Sequence, residues 1–169
     1  MPRNQKSRSG QTALEFPILY LGILLPLTFG IIYAAQMYWV WNSMVEFTRM
    51  GARYAATHCW QTDSSNVVTY MQSNVPLTVD INQFQNGQAS LNVSYFQRDP
   101  SSGVLNPFTC DGDCTTNCVP DTVTVTISGY QFSHFVGFLK LPPVVMPEFL
   151  TTLPIESNGC DPELNVCNP

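Results

Sequence analysis

No charged side chain occurs between residues 16 and 45, and residues 16–35, FPILYLGILLPLTFGIIYAA, are almost wholly apolar. At a rise of 1.5 Å per residue, about 20 residues of helix cross the hydrocarbon core of a bilayer, so this run is long enough to span one. The alternative, a cleaved secretory signal, has an apolar core of roughly 7 to 15 residues ending at a small-residue cleavage site. Here the run continues into further helical pattern, which favours a membrane helix. Tyr38, Trp39 and Trp41 suit its outer boundary, where amphipathic rings settle.

Charge along the chain orients that helix. Arg3, Lys6 and Arg8 precede it, whereas Arg49, Arg53, Arg98 and Lys140 are the basic residues that follow, against twelve acidic residues that all come after Gly10. The positive-inside rule keeps the basic flank cytoplasmic and puts the rest of the chain across the membrane. The acidic excess argues against nucleic acid, whose phosphates need clustered Lys and Arg. Cysteine usage agrees independently: Cys59, Cys110, Cys114, Cys118, Cys160 and Cys167 all lie beyond the span, on the side where thiols are oxidised.

Beyond Trp41 the pattern turns amphipathic. Met44, Phe47, Gly51, Tyr54 and His58 recur at spacings of three and four, with Glu46, Arg49 and Arg53 on the opposite face. The helix is therefore predicted to continue to about Thr57, and over residues 13–57 it would be roughly 65 Å long. Pro17 and Pro26 fall inside it and are predicted to bend it, because each removes a backbone donor.

The outer region reads as a small antiparallel sheet packed on the outer half of that helix, an α+β arrangement. A short helix is predicted over 64–75, followed by alternating strands at 77–81, 89–96 and 122–127 and a last strand near 149–156. Leu77, Val79, Ile81, Leu91, Val93, Tyr95, Val123, Val125 and Ile127 would face the helix. Residues 135–147 are apolar but hold Lys140 and three prolines, so they read as a short helix and extended turn rather than a second span.

Residues 97–121 form a loop with Cys110, Cys114 and Cys118 at four-residue intervals. Zinc knuckles of the C-x2-C kind and a nearby His are missing, so disulfides are favoured over a metal. If all six cysteines pair, the odd number in this loop forces at least one bond to Cys59, Cys160 or Cys167; the sequence does not choose among fifteen pairings. Asp111 and Asp113 hint at calcium, but an EF-hand fails, with Thr116 where its Gly belongs and Thr122 where its bidentate Glu belongs. The histidines are His58 and His134, and Cys59 reads as a disulfide partner and not a nucleophile. The expectation is a protein that is not an enzyme and that carries no metal and no cofactor.

Glu15 stands at the cytoplasmic edge of the apolar run. A carboxylate at the centre of a membrane helix costs roughly 2.5 to 3.5 kcal/mol and one at the edge costs less, so such a group usually has a partner. It is preceded by Arg8-Ser-Gly10 and lies within Gln11-Thr-Ala-Leu-Glu15-Phe16. That arrangement resembles the class III signal of type IV pilins, most closely the short-leader pilins and pseudopilins of tight-adherence (Tad) systems. The likeness extends through Ala13, Pro26, Phe29-Gly30-Ile31, Asn42 and Arg49-Met-Gly-Ala-Arg53-Tyr-Ala-Ala56, a pattern similar to the TadE-like family of minor pilin-like proteins. Phe16 stands where major Tad pilins usually have Tyr, and Tyr33 where many relatives carry an acidic residue.

The resemblance implies processing between Gly10 and Gln11 by a prepilin peptidase, leaving Glu15 fifth in the mature chain. Glu15, beside Phe16, would then pair with the freed amine of a neighbouring subunit and fix axial register. It further implies a minor or accessory subunit, since a chain of residues 11–169 is too large for the tiny major pilin. Implied partners are the membrane, other pilin or pseudopilin subunits and the pilus assembly platform. The implied location is the bacterial inner membrane, single-pass, with the outer domain periplasmic and entry into a surface pilus left open. The expected organisation is a leader over 1–10, a transmembrane helix over 11–41, a protruding amphipathic helix over 42–60 and a disulfide-stapled β-rich domain over 61–169. The competing reading is an uncleaved, membrane-anchored adhesion or binding module that works through its Cys loop.

Overall fold

The computed structural model describes residues 15–132, 142–155, 157, 159–161, 163, 164, 166 and 167. Helix α1 runs Glu15–Thr57, long and apolar enough to cross a membrane. Within it, Tyr20–Leu24 form a π-helical turn and Leu25–Thr57 a regular α-helix. The Leu25 N–H bonds the Tyr20 carbonyl five residues back, directly before Pro26, which has no N–H to offer the ladder. The prolines thus lie on either side of a widened turn.

The chain divides into two compact units, with the boundary inside α1 between Trp39 and Val40. In the first, apolar side chains such as Ile18, Leu21, Leu24, Leu27 and Ile31 are exposed around the helix. In the second, Val40, Met44, Phe47, Thr48, Gly51, Ala52 and Ala55 are buried, a stripe with the helical period. Tyr54 and His58, expected on this stripe, are only half-buried and lie to its side. There Tyr54 stacks on Tyr70, with centroids 3.9 Å apart, and on His58, at 3.7 Å.

Helix α2 (Ser65–Ser73) follows within the predicted span and buries Val67 and Met71. It crosses α1 at Gly51, where a Cβ would overlap the Met71 sulfur. The strand predicted over 77–81 does not form. The Val79 N–H bonds the Pro76 carbonyl in a turn, and the Asp80 carboxylate accepts the Asn82 N–H at 3.0 Å, capping a short helix α3 (Ile81–Gln85). Capping by Asp offers the backbone a helical alternative that alternation alone does not reveal. Leu77 is consequently fully exposed while Val79 is buried.

The main sheet orders its strands β2-β1-β3-β6, all antiparallel, with β1 at Ser90–Arg98, β2 at Leu105–Pro107, β3 at Thr122–Ser128 and β6 at Phe149–Pro154. Register aligns Leu91, Ile127 and Phe149 in one row, Val93, Val125 and Thr151 in the next, and Tyr95, Val123 and Leu153 in a third. Directly opposed residues share a face, and Val123, Val125 and Ile127 are fully buried on it. Thr151 joins this face to α1 through a 2.9 Å bond to Thr48 Oγ1. The opposite face carries hydroxyls, with Ser90–Ser128 and Thr124–Thr152 hydrogen-bonded across strands.

Two short hairpins complete the fold, β4 (Gln131–Phe132) with β5 (Val144–Val145), and β7 (Cys160–Asp161) with β8 (Val166–Cys167). Of the expected apolar turn at 135–147, residues 142–147 are described; they hold β5, while the short helix expected before it lies outside the described residues. The loop expected over 97–121 contains the edge strand β2, a three-residue strand too short to leave a pattern.

Candidate functional site

Two sets of residues were expected to carry function, the start of α1 and the cysteines. Gly10 and Gln11 lie outside the described residues. Glu15 is the first described residue and is helical, and its side chain is exposed. Phe16 beside it is 71% exposed and stacks on Tyr20, with centroids 6.4 Å apart. No basic residue follows within α1 until Arg49, so a countercharge for Glu15 must come from elsewhere.

The same helix offers room for close approach by another. A Cβ placed at Gly22 or Gly30 would meet nothing within 4 Å. Gln36 was not foreseen. Its Oε1 is buried without a hydrogen-bond partner, and an amide beyond a wholly apolar stretch is the sequence signal that would have drawn attention to it.

Farther along α1, the segment Arg49-Met-Gly-Ala-Arg53 divides its work. Gly51 and Ala52 are buried where α2 crosses. Arg49 pairs with Glu46 at 2.7 Å on the surface, and Arg53 borders a shallow groove with Tyr54, His58 and Tyr70. The small residues in this motif are thus packing residues of the outer domain, and its arginines are surface groups.

All six cysteines are paired. Cys59 bonds Cys114, Cys110 bonds Cys118, and Cys160 bonds Cys167. The first ties the end of α1 to the loop, as the odd count in that loop required. The third joins directly opposed residues of the β7–β8 hairpin. Asp113, one half of the acidic pair, accepts from both the N–H and the hydroxyl of Thr62, at 2.8 and 2.7 Å. It therefore braces the loop against the chain leaving α1. Nearby, Tyr95 is buried with its hydroxyl unpartnered, and burial pushes its phenol above the usual tyrosine range. Among the described residues, no group of three or more His, Cys, Asp or Glu is placed to hold a metal ion.

Comparison with known proteins bears on the first set. The model of the TadE-like protein family matches residues 10–53, which covers Glu15, both prolines, the glycines of the span and the Gly51-Ala52 crossing. The N-terminal segment is therefore similar to TadE-like proteins over these residues. No curated protein and no solved structure matched the chain.

Proposed function

We propose, taking the TadE-like segment as premise, that this chain is a minor pilin- or pseudopilin-like subunit of Tad-type pilus assembly, which acts by helix packing and not by catalysis. The observation that carries this reading is Glu15, an acidic side chain followed by a helical run that is uncharged to residue 45 and whose apolar side chains are exposed. Such a surface is stable in lipid or against other apolar helices. In either setting a lone carboxylate is costly, and leaving either member of an ion pair uncompensated in apolar surroundings costs several kcal/mol.

Cleavage between Gly10 and Gln11 supplies the missing cation. It frees the Gln11 amine, which on an adjacent subunit pairs with Glu15 and sets how far one helix slides past the next. Gly22 and Gly30 allow the helices to approach closely. On this reading the basic leader faces the cytoplasm, the single span lies in the inner membrane, and the disulfide-bearing domain is periplasmic. A prepilin peptidase and the assembly platform are then the processing and loading partners.

Two measurements test this together. Mass spectrometry of the native protein is expected to find Gln11 at the N-terminus. Glu15→Ala is expected to abolish surface pili while leaving the amount of protein in the membrane unchanged. A native chain that starts upstream of Gln11 and still supports normal fibres would overturn the proposal and leave the anchored binding module in its place.

A further inference from the structure

The second compact unit, from Val40 on, holds a cavity of about 260 Å³ for which helix packing has no use. It lies where the chain leaving α1 passes beside β1 and the Cys loop. Trp60, Thr62 and Ser64 line it from that chain, Tyr95 from the strand, and Phe108 and Thr109 from the loop. Trp60 and Phe108 meet edge to face, with centroids 5.2 Å apart, and make an aromatic wall. The parts are braced against one another. Cys59, next to Trp60, is bonded to Cys114, whose N–H donates to the Trp60 carbonyl at 3.1 Å. The Phe108 N–H donates to the Tyr95 carbonyl at 2.9 Å, and Asp113 holds both the N–H and the hydroxyl of Thr62. A cavity fixed in this way loses little freedom when it is filled.

Two hydroxyls on these walls are unspent. Tyr95 is only 6% exposed, yet its hydroxyl has no hydrogen-bond partner. Burial also raises its pKa, so the group keeps its proton as a donor. A buried donor without an acceptor is destabilising, and native structures rarely keep one without a purpose. Ser64 is 7% exposed and stands at the N-cap of α2, where a serine hydroxyl ordinarily caps the helix. Here it makes no capping bond, which leaves it to the cavity.

We propose that this cavity binds a neutral sugar ring. No charged side chain lines it, so an ionic ligand would lose its hydration with nothing to replace it. The hydroxyls of Tyr95, Ser64 and Thr109 can each donate and accept, and Thr62, whose proton is committed to Asp113, still offers lone pairs. A pyranose matches both features at once: its C–H faces are apolar and suit the aromatic wall, and its rim of hydroxyls gives and takes hydrogen bonds in the same way. A purely aromatic ligand would cover the wall and leave the hydroxyls unmatched. The inference concerns the second unit alone and holds whether or not the chain enters a pilus.

The test uses the full chain in a detergent without a sugar headgroup, titrated with the methyl glycosides of glucose, galactose, mannose and N-acetylglucosamine. Saturation-transfer difference NMR reads the sugar C–H protons. At least one glycoside is expected to bind saturably in the millimolar range. Tyr95→Phe removes a hydroxyl that has no partner, so it should fold like the parent by circular dichroism while binding about tenfold more weakly, the loss of one hydrogen bond. Ser64→Ala should weaken binding several-fold and takes its place if Tyr95→Phe lowers the unfolding transition. Tyr70→Phe, on the separate groove beside Tyr54, should bind like the parent. Protein with an intact transition that binds none of the glycosides overturns the proposal. Binding that neither Tyr95→Phe nor Ser64→Ala weakens puts the sugar elsewhere and overturns it too, as does binding of indole in the absence of any glycoside binding.

Discussion

The two parts of α1 have similar residues and opposite environments. Before Val40 the helix shows Ile, Leu and Phe to its surroundings on every side; after it, a stripe from Val40 to Ala55 is buried by the chain's own sheet and helix α2, while Glu46, Arg49 and Arg53 face water. Hydrophobicity alone does not separate these parts. What separates them is periodicity: a helix apolar all round needs lipid or other helices to cover it, whereas one apolar on a single stripe is covered by its own fold. The first part is thus built to be completed by something outside the chain, and the second is already complete.

If that contrast is correct, damage to the second part should cost folding stability and damage to the first should not. The largest loss is expected from Cys59→Ala with Cys114→Ala. That bond closes a separation of 55 residues, and the chain-entropy model assigns such a loop about 4 kcal/mol. Denaturant unfolding of the full chain in detergent, followed by circular dichroism, measures it. Next, Met44→Ala empties a fully buried site and should cost about 3 kcal/mol in the same assay. The exposed Ile31→Ala should leave the transition where it was. An equal loss at the two sites would break the comparison.

Glycine gives a sharper version. Gly51→Leu has to displace Met71 within the core, and overpacking of this kind should cost about 2 kcal/mol. Gly30→Leu meets nothing and should leave the fold unchanged; on the proposed packing of subunits it should lower pilus yield.

The smallest effect concerns the tip between β1 and β2. Asp99 accepts from Ser101 Oγ and N–H, at 2.6 and 2.8 Å, and with Ser102 these bonds lower its carboxyl from 3.8 to about 2. A folded-state value below the unfolded one stabilises above about pH 4, and that contribution fades as pH falls toward 2. Asp99→Asn should therefore flatten the acid limb of the stability curve slightly, and the difference from the parent should vanish near pH 2.

Much of this was legible beforehand because its signals are local. The end of α1 at Thr57, helix α2, and strands β1, β3 and β6 follow from period and length, and the TadE-like pattern was present in Gly10, Glu15 and Arg49–Arg53. The misreading at 77–81 has a local cause as well: Thr-Val-Asp alternates like a strand, yet Asp80 serves as a cap. Gln36 was passed over although an amide at the end of an apolar run is a signal in itself; that its oxygen is buried without a partner depends on the packing around it.

By itself the sequence determined that there is a helix long and apolar enough to cross a membrane, which residues can be oxidised, and where a carboxylate borders that apolar run. These depend on runs and spacings along one chain, and short-range physics decides them. Tertiary structure decided which cysteines pair, that Gly51 is the point where two helices cross, and that Trp41 meets Phe149 across more than a hundred residues. Those outcomes depend on strand order and register. Many pairings satisfy the same local preferences, and only the one that fills the core without voids is selected.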